Sequence, residues 1–202
     1  MSGPTRIDLS QTWPLHNVAA TRAFEAAALA SNPQPRLMQR AGQSVARLTL
    51  ALAPHAKTIW VACGPGNNGG DGLEAAAWLQ RWGKTALVTW LGSLQTASAD
   101  TQLAHAHAVA AGVRFVGEPP AKFDFAIDAL LGIGGNRAPQ GQVAVHIAAL
   151  NASGVPVLAV DLPSGLDGDT GQPSGFNSDA INNIASHAGN TLATAQFCLN
   201  LL

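Results

Sequence analysis

Charge is scarce in this chain, and cysteine is scarcer. Only 11% of its 202 residues are charged, and 11 basic against 12 acidic side chains leave a formal net charge of −1. No Lys/Arg cluster is present to neutralise a phosphate backbone, which argues against nucleic acid as the principal ligand. Two cysteines, Cys63 and Cys198, are too few for a disulfide framework. The polar stretch from Met1 to Gln11 lacks a basic-then-apolar leader, so a cytoplasmic protein is the expectation. Gly, Pro or a charge interrupts each apolar run before the roughly 20 residues that span a bilayer, which excludes a membrane span. The six histidines show no zinc-site spacing, and His105 and His107 point to opposite sides of a helix.

What is present suits packed layers: 47% of the residues are hydrophobic, with 21 glycines and abundant alanine. About 200 residues make one ordinary domain, so a single unit over residues 1–202 is expected. Helical spacing runs from His16 to Ala30 and again through Leu37, Ala41, Val45, Leu48 and Leu52, with Asn32-Pro33-Gln34-Pro35 breaking the two. The period then changes. Thr58 to Cys63 reads as a buried strand that ends in glycines, followed by a helix from Leu73 to Trp82. Strands are expected at Thr85 to Trp90, Val113 to Val116, Phe123 to Asp128 and Val155 to Asp161, and helices at Asp100 to Ala111 and Val143 to Asn151. Apolar strands alternating with helices imply an α/β fold, a Rossmann-like three-layer sandwich with a mostly parallel sheet.

Three polar clusters follow the carboxyl ends of expected strands: Gly64 to Gly72 (GPGNNGGDG), Asp128 to Gly132 (DALLG) and Asp161 to Gly165 (DLPSG). In an open parallel sheet all three reach the edge where ligands bind. Each Asp could instead cap a helix or stabilise a turn. Gly64, Gly66 and Gly69 satisfy the dinucleotide spacing G-x-G-x-x-G, yet the next strand ends Val88-Thr89-Trp90 without the acidic residue that holds a ribose. A phosphate-binding P-loop fails too, because Asp71 stands where its Lys would be. The loop still offers backbone N–H groups at a helix start for a pyrophosphate, beside the amides of Asn67 and Asn68.

These three motifs together resemble the NAD(P)H-hydrate epimerase family, also called the YjeF N-terminal domain. The likeness runs from about Val18 to Gly171 and includes Leu37-Met38-Gln39-Arg40-Ala41-Gly42. It implies an isomerase that interconverts the R and S forms of hydrated NADH or NADPH, so that a partner dehydratase specific for one epimer can repair both. It further implies substrate binding by Asn67, Asn68, Gly69, Gly70 and Asp71, by the segment Gly132, Ile133, Gly134, Gly135, Asn136, Arg137 and Ala138, and by Asp161. Asn68, Asp128 and Ser164 match the family's potassium ligands, and hard oxygen donors of this kind suit that cation. Asp161 is the candidate to move a proton, provided burial raises its pKa; otherwise it only anchors the substrate. Asp167, Asp169 and Thr170 read as turn formers.

The chain departs from the family after the third motif. No Lys follows Lys122, and the family's Lys-Pro-Gly segment is absent, so residues 172–202 read as a divergent or truncated end. A strand near Thr191 to Phe197 would sit at the sheet edge and favour a homodimer through it, while Asn177 to Asn190 lacks an apolar face. Two other readings stay open: a non-enzymatic binding homologue of the same fold, and a transferase using an adenosine cofactor.

Overall fold

The computed structural model describes residues 16–31, 36–135, 137–174 and 197–199. In chain order the elements are α1 (Val18–Ser31), α2 (Leu37–Leu52), β1 (Thr58–Cys63), α3 (Asn67–Arg81), β2 (Thr85–Trp90), α4 (Ala99–Ala110), β3 (Arg114–Phe115), β4 (Phe125–Ala129), α5 (Gly141–Ala152), β5 (Val157–Val160) and β6 (Phe197–Leu199). The sheet order is β3-β2-β1-β4-β5-β6, and each neighbouring pair is parallel. Growth therefore starts at β1, runs outward to β3, and then reverses to β4. That reversal opens a crevice beyond the carboxyl ends of β1 and β4.

Alternation along β1 builds both cores. Ile59, Val61 and Cys63 face Val45 and Ala46 of α2, Leu73 and Leu79 of α3, and Ala104 and Ala108 of α4. Trp60 and Ala62 face the other way, toward Ile147 and Leu150 of α5. With helices on both faces, the strands are mostly apolar rather than alternating, as the sequence suggested. Among the described residues no helix is long and apolar enough to cross a membrane. His105 packs between the rings of Trp90 and Phe115, with centroids 4.8 and 4.9 Å away, while His107 pairs through Nδ1 with Glu74 Oε1 at 2.6 Å.

The main correction concerns α3, which begins at Asn67 rather than Leu73. Most of the expected glycine loop is helix. Space explains it: a Cβ on Gly69 would lie 2.0 Å from the Gly64 carbonyl oxygen, and one on Gly72 would lie 2.6 Å from Ala129 Cβ and 2.8 Å from Cys63 Sγ. These glycines let a helix start against the strand ends, at the usual cost of glycine within a helix. Gly42 acts likewise between helices, since its Cβ would meet Glu74 Cβ at 2.3 Å.

Smaller differences follow from pairing. Asp128, expected as the last residue of its strand, is followed in β4 by Ala129 and lies in register with Ala62 and Ala159. β5 stops at Val160 because Asp161 turns into the left-handed region with φ 74°. β3 keeps only two residues. β6 pairs with β5 at the sheet edge, with Phe197 its only overlap with the expected stretch. Thr191 to Gln196 and Asn177 to Asn190 lie outside the described residues.

Candidate active site

Gly132 is where the three polar clusters meet. A Cβ there would lie 2.6 Å from Asp161 Oδ2 and 3.5 Å from both Cβ and Cγ of Asn68. Residues 64 and 93 positions apart in sequence (132 − 68; 161 − 68) thus converge at the crevice. Asp161 is held there by the Ile133 N–H, which donates to Oδ2 at 2.7 Å. Partial burial raises the Asp161 pKa, and this hydrogen bond offsets part of the rise.

Behind it lies a buried polar knot. Asp128 is 0% exposed; its Oδ1 accepts from Ser164 Oγ at 2.6 Å and its Oδ2 from Ser164 N at 2.8 Å. Leu130 N donates to Oδ1 at 3.2 Å, and Leu131 N donates to Ser164 Oγ at 2.9 Å. No cationic side chain is among these partners, and burial raises the Asp128 pKa. The structure therefore joins Asp128 to Ser164. It sets Asn68 beside Gly132, with Nδ2 buried and without a hydrogen-bond partner.

Not every expected ligand is equally available. Asn67 Oδ1 accepts from Ser98 Oγ at 2.8 Å, so this amide ties α3 to the start of α4. Gly69 and Gly70 are buried in α3, where a Cβ on Gly70 would meet Met38 Sδ at 2.6 Å. In the segment from Gly132 to Ala138, Gly135 N closes a turn onto Gly132 O at 2.9 Å and Gly135 O accepts from Ser174 Oγ at 3.0 Å. Gly134, Arg137 and Ala138 border a hollow of about 350 Å³. Asn136 lies outside the described residues.

Asp71 is perturbed as well. Its pKa is pushed up to about 8, first by burial and then by repulsion from Asp161, Glu25 and Glu74. Asp161 accepts an N–H, which favours its ionised form, so the repulsion falls on Asp71. Because the folded value lies above the ordinary 3.8, stability falls as pH rises from about 4 to about 8. Replacing Asp71 by Asn should therefore stabilise the fold increasingly across that window, reaching roughly 2 to 3 kcal/mol once screening is allowed for. Denaturation of both proteins near the two ends of the window checks this; an equal gain at both ends would show ordinary titration.

One wall of the site had no motif. Val18 N donates to Asp169 Oδ1 at 2.7 Å, which fixes the start of α1 over the crevice. Glu25 then reaches Asp71 electrostatically, and Arg22 Nη2 lies 3.2 Å from the Cβ position of Gly134. The only sequence signal was that Arg22 and Glu25 share a helix face.

A family described as YjeF-related protein N-terminus matches residues 34–195. The chain is 39% identical over 164 residues to the NAD(P)H-hydrate epimerase of Achromobacter xylosoxidans, covering 80% of this chain and 78% of that relative. It is 40% identical over 149 residues to the bifunctional NAD(P)H-hydrate repair enzyme Nnr of Thermofilum pendens, covering 69% of this chain but only 28% of that relative's length. The crystal structure of yeast ynu0 superposes with a TM-score of 0.64 at 25% identity, covering 76% of this chain and 72% of the yeast chain.

Proposed function

The chain belongs to the family of YjeF-related N-terminal domains, and on that footing we propose that it is an epimerase of hydrated NADH and NADPH, a cofactor-repair isomerase. The observation that carries this reading is the meeting of Asp161, Asn68 and Gly132 at the strand reversal.

Epimerisation of a hydrated nicotinamide ring needs no redox step. The ring carbon bears a hydroxyl beside the ring nitrogen. Protonation lets that hydroxyl leave as water, and the nitrogen lone pair stabilises the cationic ring. Water then returns to the opposite face and gives up a proton. Composition is unchanged, so one carboxyl of raised pKa serves both directions. Asp161 takes that part: it is partly buried, its pKa is raised, and the Ile133 N–H aims it at the crevice. On this reading Asn67 to Asp71 and Gly132 to Ala138 hold the substrate, with Asn67 acting through its link to Ser98.

The same reading gives the protein a potassium ion held by Asn68, Asp128 and Ser164, which would supply a fixed positive charge beside the substrate. These residues fit it. Asp128 is a buried carboxyl without a cationic partner, and the buried amide of Asn68 leaves Nδ2 unpaired, so turning that amide over presents its oxygen instead. Potassium chloride should raise the melting temperature by a few degrees over choline chloride at equal ionic strength. Asp128→Asn should lose that difference; an equal response in the variant would remove Asp128 from the site.

A cytoplasmic location, a single domain over residues 1–202, a functional partner dehydratase and a homodimer through the β6 edge complete the proposal. The deciding assay supplies the purified chain with a dehydratase specific for one epimer and follows consumption of the other. Binding of hydrated cofactor without turnover would point to a non-enzymatic homologue, and binding of S-adenosylmethionine to a transferase.

A further inference from the structure

We propose that Arg22 of α1 grips a phosphate of the dinucleotide substrate, an inference that rests on the substrate class proposed above.

Helix α1 is sparsely anchored but closely placed. Its side chains from Arg22 to Ala27 are exposed, and among its described side chains only Thr21 is buried. Its amino end is nonetheless fixed, by the Val18 N–H on Asp169 and by Val18 Cγ2, which lies 3.3 Å from the Cβ position of Gly168. From that anchor Arg22 extends to Gly134, its Nη2 3.2 Å from where a Cβ would stand. Arg22 makes no hydrogen bond or ion pair with another described residue. Its guanidinium is thus delivered to the substrate-binding segment with its donors uncommitted.

The charge balance of the crevice also favours a cation there. The charged groups that act on Asp71 at this crevice, Asp161, Glu25 and Glu74, are all acidic, and of these Glu74 is paired with His107. A dinucleotide adds at least the two negative charges of its pyrophosphate, which such a site would repel unless a cation met them. The first N–H groups of α3 offer partial positive charge at one point. Arg22 offers a full charge at another, in a planar fork that matches phosphate oxygens. Gly134 leaves room for both the guanidinium and a phosphate to come close to the backbone.

The phosphate is either the pyrophosphate or the ribose 2′-phosphate of the NADP form, and the experiment separates them. Wild type, Arg22→Gln and Arg22→Lys are titrated calorimetrically with ADP-ribose, 2′-phospho-ADP-ribose and adenosine at one salt concentration. Arg22→Gln should bind both phosphorylated ligands on the order of tenfold to a hundredfold more weakly if the pyrophosphate is gripped, and only the 2′-phospho ligand more weakly if the 2′-phosphate is. Arg22→Lys should recover part of the loss, because it keeps the charge without the fork. Adenosine affinity should not change, and because the side chain is exposed the variants should melt like wild type. Wild-type affinity of Arg22→Gln for both phosphorylated ligands overturns the proposal, as does weakened adenosine binding or failure of wild type to bind either. A wild type that shows the Arg22 effect but no epimerisation would remove the epimerase reading and leave the Arg22 contact standing.

Discussion

Replacing Asp161 by Asn should reduce epimerisation by about a hundredfold to ten-thousandfold, the usual contribution of a positioned acid or base. The substitution isolates the proton. Asn is tolerated in the left-handed region that Asp161 occupies at φ 74°, and its amide oxygen can still accept the Ile133 N–H. Affinity for ADP-ribose and thermal stability should therefore stay near wild type while turnover collapses. The coupled dehydratase assay reads turnover and calorimetry reads affinity. Unchanged turnover would leave Asp161 as an anchor for substrate hydroxyls.

The second large effect concerns space rather than chemistry. Gly64→Ala places a methyl 1.7 Å from the carbonyl oxygen of Leu130, and Gly69→Ala places one 2.0 Å from that of Gly64. Both obstacles are backbone, so no side-chain rotation relieves them. Each substitution should destabilise the protein by about 3 kcal/mol or more. Gly66→Ala is the internal control, for it has φ −96° and nothing within 4 Å of the added carbon. It should cost less than about 1 kcal/mol, the ordinary preference for glycine over alanine at a helix cap. Urea denaturation of the three variants checks the order; equal effects at all three positions would mean that this stretch behaves as a loop.

That contrast marks where the sequence was readable. β1, β2, β4 and β5 were legible as short, mostly apolar runs, because each is covered on both faces. The convergence of the clusters was legible too, since parallel strands present their carboxyl ends on one edge. The start of α3 was not. Composition alone cannot separate a glycine needed for positive φ from one needed for room, and the atom that decides at Gly64 is a carbonyl 66 residues away (130 − 64). Nor was α1 legible as part of the site, because Arg22 and Glu25 acquire meaning only from Gly134 and Asp71. Asp128 was legible as a strand-end site residue, but its burial was not, since a buried carboxylate in β4 makes sense only once Ser164 covers it.

The bond between Ser164 and Asp128 spans 36 residues, and the chain is made in one direction. At about 5 to 20 residues per second, a ribosome needs about two to seven seconds to make that interval. Throughout it β4 carries a carboxylate near its carboxyl end and no Ser164 to receive it, so water must keep access to that side chain. The first strands can associate early, but the crevice cannot dehydrate until the third motif arrives. Closure of the site is thus a late, discrete event in the life of each molecule, timed by synthesis as much as by diffusion.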